Sequence, residues 1–119
     1  MNSPEQTPEI MRITHHPIAN LNNPTNTKIT LFVQGEVDQS TAPEFNDEIR
    51  GALNNAETVD IDLDGIHFFS AAGIHGLVEA CAIAQRDGRN ITIKNPSEIV
   101  RKLMTITGVE QALPVEYDQ

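Results

Sequence analysis

The sequence contains no tryptophan, one cysteine (Cys81) and only 4% aromatic residues, so its core must be mainly aliphatic. A single cysteine excludes an internal disulfide bond, and its position on an apolar helix face predicts a small core residue. No apolar run approaches the ~20 residues that a membrane-spanning helix needs. The first residues lack a basic start followed by an apolar stretch, so they do not predict a secretory signal. We therefore expect a soluble cytoplasmic protein.

Basic residues are also scarce. The chain has 8 Lys and Arg against 17 Asp and Glu, which gives a formal net charge of −9. Nucleic-acid-binding proteins usually carry a basic surface, and an anionic membrane would repel this chain, so we expect neither as a partner. The charge fits a basic protein partner, although acidity mainly promotes solubility.

Patterns of catalytic, metal and cofactor sites are missing as well. His15 and His16 are adjacent, so in a strand their side chains point to opposite faces. The alternating aspartates of 60–64 share a strand face but do not form a calcium-loop pattern, which favours a solvated or partly paired face. No glycine pattern matches a phosphate-binding loop, and Ser70 lies in no nucleophile elbow. The sequence therefore predicts no metal, no cofactor and no enzyme activity.

Strands alternate with helices along the chain, which predicts one α/β domain with right-handed crossovers. Predicted strands lie within 10–18, where Pro17 indicates an edge, and at 29–33, 59–63 and 90–94. Asn20 to Asn26 form a turn cluster. The near-continuous apolar run at 29–33 predicts burial on both faces of its strand.

Three helices are predicted between and after these strands. The first follows a capping box formed by Thr41 and Glu44 and ends at the pair Asn54-Asn55. The third starts with Asn95 as its cap and Pro96 in its first turn. Its apolar spacing predicts a buried face formed by Ile99, Leu103 and Ile106. Val100 is predicted to lie at the side of this face. Gly88 and Gly108 end the second and third helices, with Gly88 in a left-handed conformation.

The second helix starts in the segment Ser70-Ala71-Ala72-Gly73, where a loop is predicted to lead from the strand at 59–63 into the helix. Ser70 suits an N-cap, because its hydroxyl can accept a hydrogen bond from a first-turn N–H. The small residues after it let a partner or ligand approach the exposed amides and the positive end of the helix dipole. Alternatively, Ser70 only caps the helix and the alanines only permit close packing.

Three segments together resemble STAS domains, in particular bacterial anti-sigma factor antagonists. They read F-V-Q-G-E-V-D-Q-S-T-A-P-E-F at 32–45, V-D-I-D-L-D-G-I-H-F-F-S-A-A-G-I at 59–74 and D-G-R-N-I-T-I-K-N-P-S-E-I-V-R-K-L-M-T-I-T-G-V at 87–109. The resemblance covers residues 10–115, which leaves a flexible N-terminal tail at 1–9 and a C-terminal tail at 116–119. It implies a small mixed β-sheet of about four to five strands, covered mainly by α-helices.

The resemblance also implies a function in protein binding. An unphosphorylated antagonist binds an anti-sigma factor, often a GHKL-type serine kinase, and so releases a sigma factor. Phosphorylation at the helix start breaks that complex, because a phosphate adds roughly −1.5 to −2 charge to a closely packed interface.

This sequence departs from the family's switch motif, which usually reads D-S-S/T-G. Ser70 stands where the motif has Asp, and Ala71 and Ala72 stand at the two phosphoacceptor positions. Either the usual switch is absent or Ser70 is a shifted phosphoacceptor. Asp38 matches the acid of the family's G-E-V-D turn. The resemblance implies a partner-binding surface formed by nine residues: Asp38, Ser40, Thr41, Ser70, Ala71, Ala72, Gly73, Ile74 and His75.

Two other functions stay open. Some STAS proteins are subunits of a transporter or a sensory assembly, and these often lack the acceptor serine, as this chain does. A small-ligand sensor that holds an anion at the helix start is disfavoured by the net charge and by the missing glycine-rich cradle. Homo-oligomerisation is also open, because the predicted edge strand near 10–18 could pair with a second copy.

Overall fold

The computed structural model describes residues 10–19 and 27–118. The predicted tail at 1–9, the turn cluster at 20–26 and Gln119 lie outside this range. The elements in chain order are β1 (Met11–Ala19), β2 (Thr27–Val37), α1 (Ala42–Asn55), β3 (Thr58–Phe69), α2 (Ala71–Arg86), β4 (Asn90–Lys94), α3 (Glu98–Thr107) and β5 (Val115–Glu116).

The strands form one mixed five-stranded sheet in the order β1-β2-β3-β4-β5. β1 pairs antiparallel with β2, and every other neighbouring pair is parallel. The predicted α/β architecture with a small mixed sheet is therefore confirmed. Pro17 lies on the edge strand β1, as predicted, where a missing N–H is tolerated.

The helices lie on one face of the sheet. Each parallel crossover moves one strand further in the same direction, so right-handed connections place α1, α2 and α3 on the same side. The core lies between this helical layer and the sheet. Its largest fully buried side chains come from both layers: Phe45, Leu31, Ile49, Ile61, Leu63, Leu77, Ile93 and Met104.

The prediction that β2 is buried on both faces is wrong, because the helices cover only one face of the sheet. Leu31 and Val33 are fully buried, but Phe32, which points to the other face, is 38% exposed. An apolar run indicates burial on both faces only when helices cover both, and here they cover one. Phe32 instead packs edge-on against His16 of β1, with ring centroids 4.9 Å apart.

β3 is longer than predicted and changes the approach to α2. It extends to Phe69, and its second half stays paired with β2 as far as Val37, although the register shifts twice. Residues 65–69, predicted as a loop, are therefore strand, because β2 also continues beyond its apolar run and supplies backbone partners. Ser70 alone separates the end of β3 from the start of α2.

The start of α3 also differs from the prediction. Ser97, not Asn95, is the N-cap, and the helix begins at Glu98. Asn95 adopts a left-handed conformation with φ 49°, which is incompatible with a cap that leads straight into a helix. Its side-chain amide instead donates to Asp62 Oδ2 at 3.1 Å and to Asp118 Oδ2 at 3.0 Å.

The buried face of α3 is rotated from the predicted one. Val100 and Met104 are buried, whereas Ile99 is 40% exposed and Ile106 is 79% exposed. The helix carries two apolar stripes, and the sheet covers the one formed by Val100 and Met104. The stripe containing Ile99 and Ile106 is left on the surface, with Leu103 partly buried against the core.

The last residues are attached to the sheet. Glu116, which the sequence assigns to the C-terminal tail, belongs to β5 and pairs with Lys94 of β4. The Asp118 N–H donates to Asn95 Oδ1 at 2.8 Å, and the Asp118 carboxylate lies 2.9 Å from Lys94 Nζ. Lys94 lowers the pKa of Asp118 by hydrogen bonding, so the carboxylate stays ionised. Across 10–19 and 27–118, no helix is long and apolar enough to cross a membrane.

Candidate protein-binding site at the start of α2

The two segments of the predicted surface meet at one edge of the sheet. Val37 and Phe69 end β2 and β3 as register partners, and Ser70 N donates to Val37 O at 2.9 Å. Since neighbouring parallel strands end at the same edge, the loop 38–41 and the start of α2 emerge side by side. The structure thus brings together the segments that the family resemblance pairs.

Ser70 caps α2, as the sequence predicts. Its backbone is extended (φ −96°, ψ 169°), and its Oγ accepts from Gly73 N at 3.4 Å. This bond is long for a cap. Gly73 packs on the ring of Phe69: a Cβ built at this glycine would lie 2.8 Å from Phe69 Cζ. The ring cannot easily yield, because it is buried and packs edge-on against Phe45.

Asp38 organises the neighbouring loop. Its Oδ1 accepts from Ser40 N at 2.9 Å, from Ser40 Oγ at 2.8 Å and from Thr41 N at 2.9 Å. The hydrogen bond from the Ser40 hydroxyl, followed by that from the Thr41 backbone, lowers the pKa of Asp38 below its ordinary value. The loop therefore presents a fixed negative charge.

The predicted capping box at Thr41 is wrong. Thr41 is the N-cap of α1 but makes no side-chain cap bond. Its backbone is helical (φ −97°, ψ −15°), whereas a capping hydroxyl needs the extended conformation. The hydroxyl instead accepts from Asp38 N at 2.9 Å and donates to Glu36 O at 3.1 Å. Thr41 thus holds the loop rather than the helix.

The nine predicted residues divide into a surface and its support. Gly73 and Ile74 are buried, and Ile74 reaches the surface only in the lining of a groove between α2 and the end of α3. Ser70, Ala72, Asp38 and Thr41 are half-buried. The exposed members are Ser40, Ala71 and His75.

A groove between α1 and α2 opens on one side of Ala72. It has a volume of about 230 Å³ and is lined by Gln39, Ala42, Pro43, Asn46, Ala72, His75, Gly76 and Glu79. Gly76 lets the two helices approach closely here, since a Cβ at this position would overlap the Asn46 side chain. Gln39 belongs to the predicted contact loop 38–41, whereas Asn46 was not predicted as a site residue.

A larger groove opens on the other side, between α2 and the end of α3. It has a volume of about 490 Å³ and is lined by Ala71, Ala72, Ile74, His75, Val78, Thr107 and Val109. This lining contains no Asp, Glu, Lys or Arg, although such residues make up 21% of the chain. The predicted site did not include Thr107 or Val109. A signal was available, since the T-G-V sequence at 107–109 ends the third of the segments that resemble STAS domains.

Other reactive groups have ordinary partners. His15 lies 2.6 Å from Glu48 on α1, whereas His16 contacts Phe32, so the adjacent histidines do point to opposite faces. Burial raises the pKa of Cys81 to about 11, which keeps it a thiol. Asp60 is buried and lies 2.8 Å from Lys28 Nζ. Within the part of the chain that the structure describes, no three His, Cys, Asp or Glu side chains are grouped to hold a metal ion.

With this geometry in hand, the chain can be placed among known proteins. Residues 23–115 match the family model described as "Mlab, STAS domain", so the chain belongs to the STAS domain family. No curated protein sequence matches it significantly.

Solved structures share the fold at low sequence identity. SpoIIAA of Bacillus in its unphosphorylated form, an anti-sigma factor antagonist, superposes with a TM-score of 0.71 at 14% identity, over 91% of this chain and 89% of that one. An anti-sigma factor antagonist from Mycobacterium paratuberculosis gives 0.65 at 18% identity, over 100% and 92%. An anti-sigma-factor antagonist (STAS) domain protein from Planctomyces limnophilus gives 0.62 at 18% identity, over 92% and 90%. The likeness establishes the fold.

Proposed function

We propose that this STAS protein is a non-enzymatic regulator of transcription in the bacterial cytoplasm that binds an anti-sigma factor and so releases a sigma factor. The proposed partner is a serine kinase of the GHKL type. Its contact surface is the loop 38–41 together with the exposed start of α2. The support is the fold shared with anti-sigma factor antagonists and the arrangement of these two segments.

The observation that carries the proposal is the uncharged, small-residue surface at Ala71 and Ala72. Large side chains are missing there, so a partner backbone can approach the helix start closely. Burial of methyl groups also avoids the desolvation penalty that a charged group would impose. The apolar groove toward Thr107 and Val109 continues this surface and offers room for partner side chains.

The negative charge of this protein would orient a bound partner. Asp38 is held ionised beside the alanines, and the chain as a whole carries −9. A partner with a basic contact surface is therefore attracted, and like-charged proteins are repelled. Such complementarity mainly raises the association rate and fixes the orientation of binding.

We further propose that phosphorylation at positions 71 and 72 does not control this surface, because alanine has no acceptor. Ser70 is the hydroxyl nearest to those positions in sequence, but its oxygen serves as the cap of α2 and its side chain is half-buried. Intact-mass measurement after incubation with the partner kinase and ATP tests this. A phosphate that is added to the natural chain and not to Ser70→Ala would make Ser70 the acceptor.

The binding surface is tested by placing an aspartate at either of two alanine positions of α2. The partner is first identified by affinity pull-down from the native lysate with mass spectrometry. Ala72→Asp places a charge in the proposed interface, and we expect the Kd by calorimetry to rise at least about tenfold, in line with burying an unpaired charge. Ala82→Asp, on the exposed face of α2, is the control and should leave the Kd unchanged. Equal affinities for both variants would remove this surface from the proposal.

A second function is favoured by the same alanines. A STAS subunit of a transporter or sensory assembly needs a permanent contact and no phosphoacceptor, which agrees with Ala71 and Ala72. The pull-down distinguishes the two functions. Recovery of an anti-sigma kinase supports the regulator, whereas recovery of transporter or sensory-complex subunits supports the assembly component.

A further inference from the structure

A cleft at the far end of α2 gathers positive charge on an acidic protein. It lies between the C-terminal halves of α1 and α2, has a volume of about 360 Å³, and is lined by Arg50, Leu53, Asn54, Ile83, Ala84, Arg86, Asp87 and Arg89. The lining itself contains three arginines and one carboxylate, and two carboxylates outside it, Glu79 and Asp47, lie 2.6 Å and 4.0 Å from the Arg50 guanidinium. The arginines are three of only 8 Lys and Arg in a chain with net charge −9. The residues that line the cleft therefore carry an excess of positive charge, although the chain as a whole is acidic.

The three guanidinium groups are held in place but are not saturated. Arg89 donates to Ala56 O at 2.8 Å and is half-buried. Arg50 donates to Glu79 Oε1 at 2.6 Å, and Arg86 binds Asp87 through Nε at 3.0 Å and through a second nitrogen at 3.4 Å. A guanidinium has five N–H donors, so each arginine keeps donors for a further anion.

The floor of the cleft is apolar. Leu53 and Ala84 are buried members of the core, and Ile83 is half-buried beside them. Guanidinium groups at the rim above an aliphatic floor suit a molecule with an anionic head and an apolar body. Arginine forks match the oxygens of phosphate and carboxylate groups. One fork satisfies a carboxylate, whereas guanidiniums from three arginines of the same lining, each with donors left, can together contact a phosphate dianion.

We propose that this cleft binds a phosphate monoester with an apolar body, with Arg50, Arg86 and Arg89 contacting the phosphate and Leu53, Ile83 and Ala84 contacting the body. The site is separate from the proposed partner surface. The 16 residues of α2 lie between the two, which corresponds to about 24 Å at the rise of an α-helix. The proposal is therefore independent of the proposed function.

Phenyl phosphate is a suitable probe, with inorganic phosphate and benzoate as partial probes. In an NMR titration of the full chain, backbone amides of residues 86–89 should shift in a saturable manner with phenyl phosphate. Inorganic phosphate should bind more weakly because it has no apolar group. Benzoate should bind more weakly because it carries a single negative charge. Saturable shifts at residues 70–73 instead would place the anion at the helix start and overturn the proposal.

Arginine variants decide which side chains bind. Arg86→Gln is the safest variant, since this side chain is 72% exposed, and Arg50→Gln is the second. Each should weaken phenyl phosphate about tenfold, the effect of one charge-assisted hydrogen bond. Arg101→Gln on α3 is the control, because it removes the same charge away from the cleft. The proposal fails if phenyl phosphate does not saturate, if inorganic phosphate binds as tightly, or if Arg101→Gln costs as much as the cleft variants.

Discussion

The two ends of α2 present different chemistry to the solvent. The first turn has no acidic residue and exposes alanine, whereas the last turn carries Arg86, next to the cleft shared with Arg50 and Arg89. The macrodipole favours an acid at a helix start and a base at a helix end. The end of α2 follows this rule and its start does not.

The other two helices show that the missing acid is specific to α2. α1 has Glu44 and α3 has Glu98 in the first turn. An acid at this position typically stabilises a helix by about 0.3–1 kcal/mol. α2 lacks that contribution, whereas α1, which follows directly from the Asp38 loop, has it. The proposed partner contact would account for the difference, because an unpaired carboxylate that is buried under a partner would cost more than the helix gains.

Among changes that test the difference between the two ends of α2, the largest effect on stability is expected from Gly73→Ala in its tightly packed first turn. The new Cβ meets the Phe69 ring, which is held by Phe45, so we expect a loss of about 1–3 kcal/mol in the free energy of unfolding. Urea denaturation measures it.

Gly51→Ala is the matched control for that prediction. Gly51 also lies within a helix, and nothing lies within 4 Å of its added Cβ. Replacement of a helical glycine without a clash should stabilise the protein by about 0.5–1 kcal/mol. If both substitutions shift stability in the same direction, the packing account of the α2 start is wrong.

The next effect concerns how far the binding surface extends from α2 toward α3. Ile106→Asn changes a side chain that is 79% exposed beyond the groove. We expect partner affinity to fall about tenfold, as for the loss of a well-packed apolar contact, with stability unchanged within about 0.5 kcal/mol. Ile18→Asn, at an isoleucine on β1 that is 60% exposed, should change neither quantity. Unaltered partner affinity of Ile106→Asn would confine the surface to the loop and the start of α2.

The exposed Ile106 also shows where sequence reasoning stops. Apolar spacing correctly located α3, Gly88 is left-handed as predicted, and Gly108 ends α3 as predicted. Periodicity could not decide between the two apolar stripes of α3, because the stripe that is buried is chosen by the position of the sheet. The order of elements depends on local pattern and was predictable, whereas the facing of a helix depends on tertiary contacts.

The candidate site also contains residues that local sequence could assign and residues that it could not. Ser70 could be assigned as a cap from its neighbours in the chain, and that assignment is confirmed. Thr107 and Val109 reach the same surface only because α3 packs near α2, more than 30 residues later in the sequence. No local periodicity contains such a contact, and only the family resemblance of the T-G-V sequence at 107–109 pointed to these residues.

A smaller effect is expected at the caps. Ser70→Ala removes the bond to Gly73 N and should cost about 0.5–1 kcal/mol, near the low end for caps because the bond is long. Ser97→Ala is the matched comparison, since Ser97 caps α3 without a side-chain bond, and its buried Oγ has no partner among the described residues. Thermal or urea unfolding should show a clear loss for the first variant and little or none for the second. A similar loss in both would mean that the Ser70 bond does not stabilise α2.

The smallest effect is expected in acid, at the charged loop beside Ala71 and Ala72. The folded-state pKa of Asp38 is lowered, chiefly by the Ser40 hydroxyl, so its contribution to stability is complete above the ordinary value of 3.8 and is lost as the pH falls through the lowered value. Asp38→Asn should therefore reduce the Tm at neutral pH, and the difference from the natural chain should shrink below pH 3.8. A Tm difference that stays constant across this range would show that the contribution of Asp38 to stability does not depend on its ionisation. The ionised carboxylate would then serve the partner rather than the fold, and the contrast between the two ends of α2 would rest on binding.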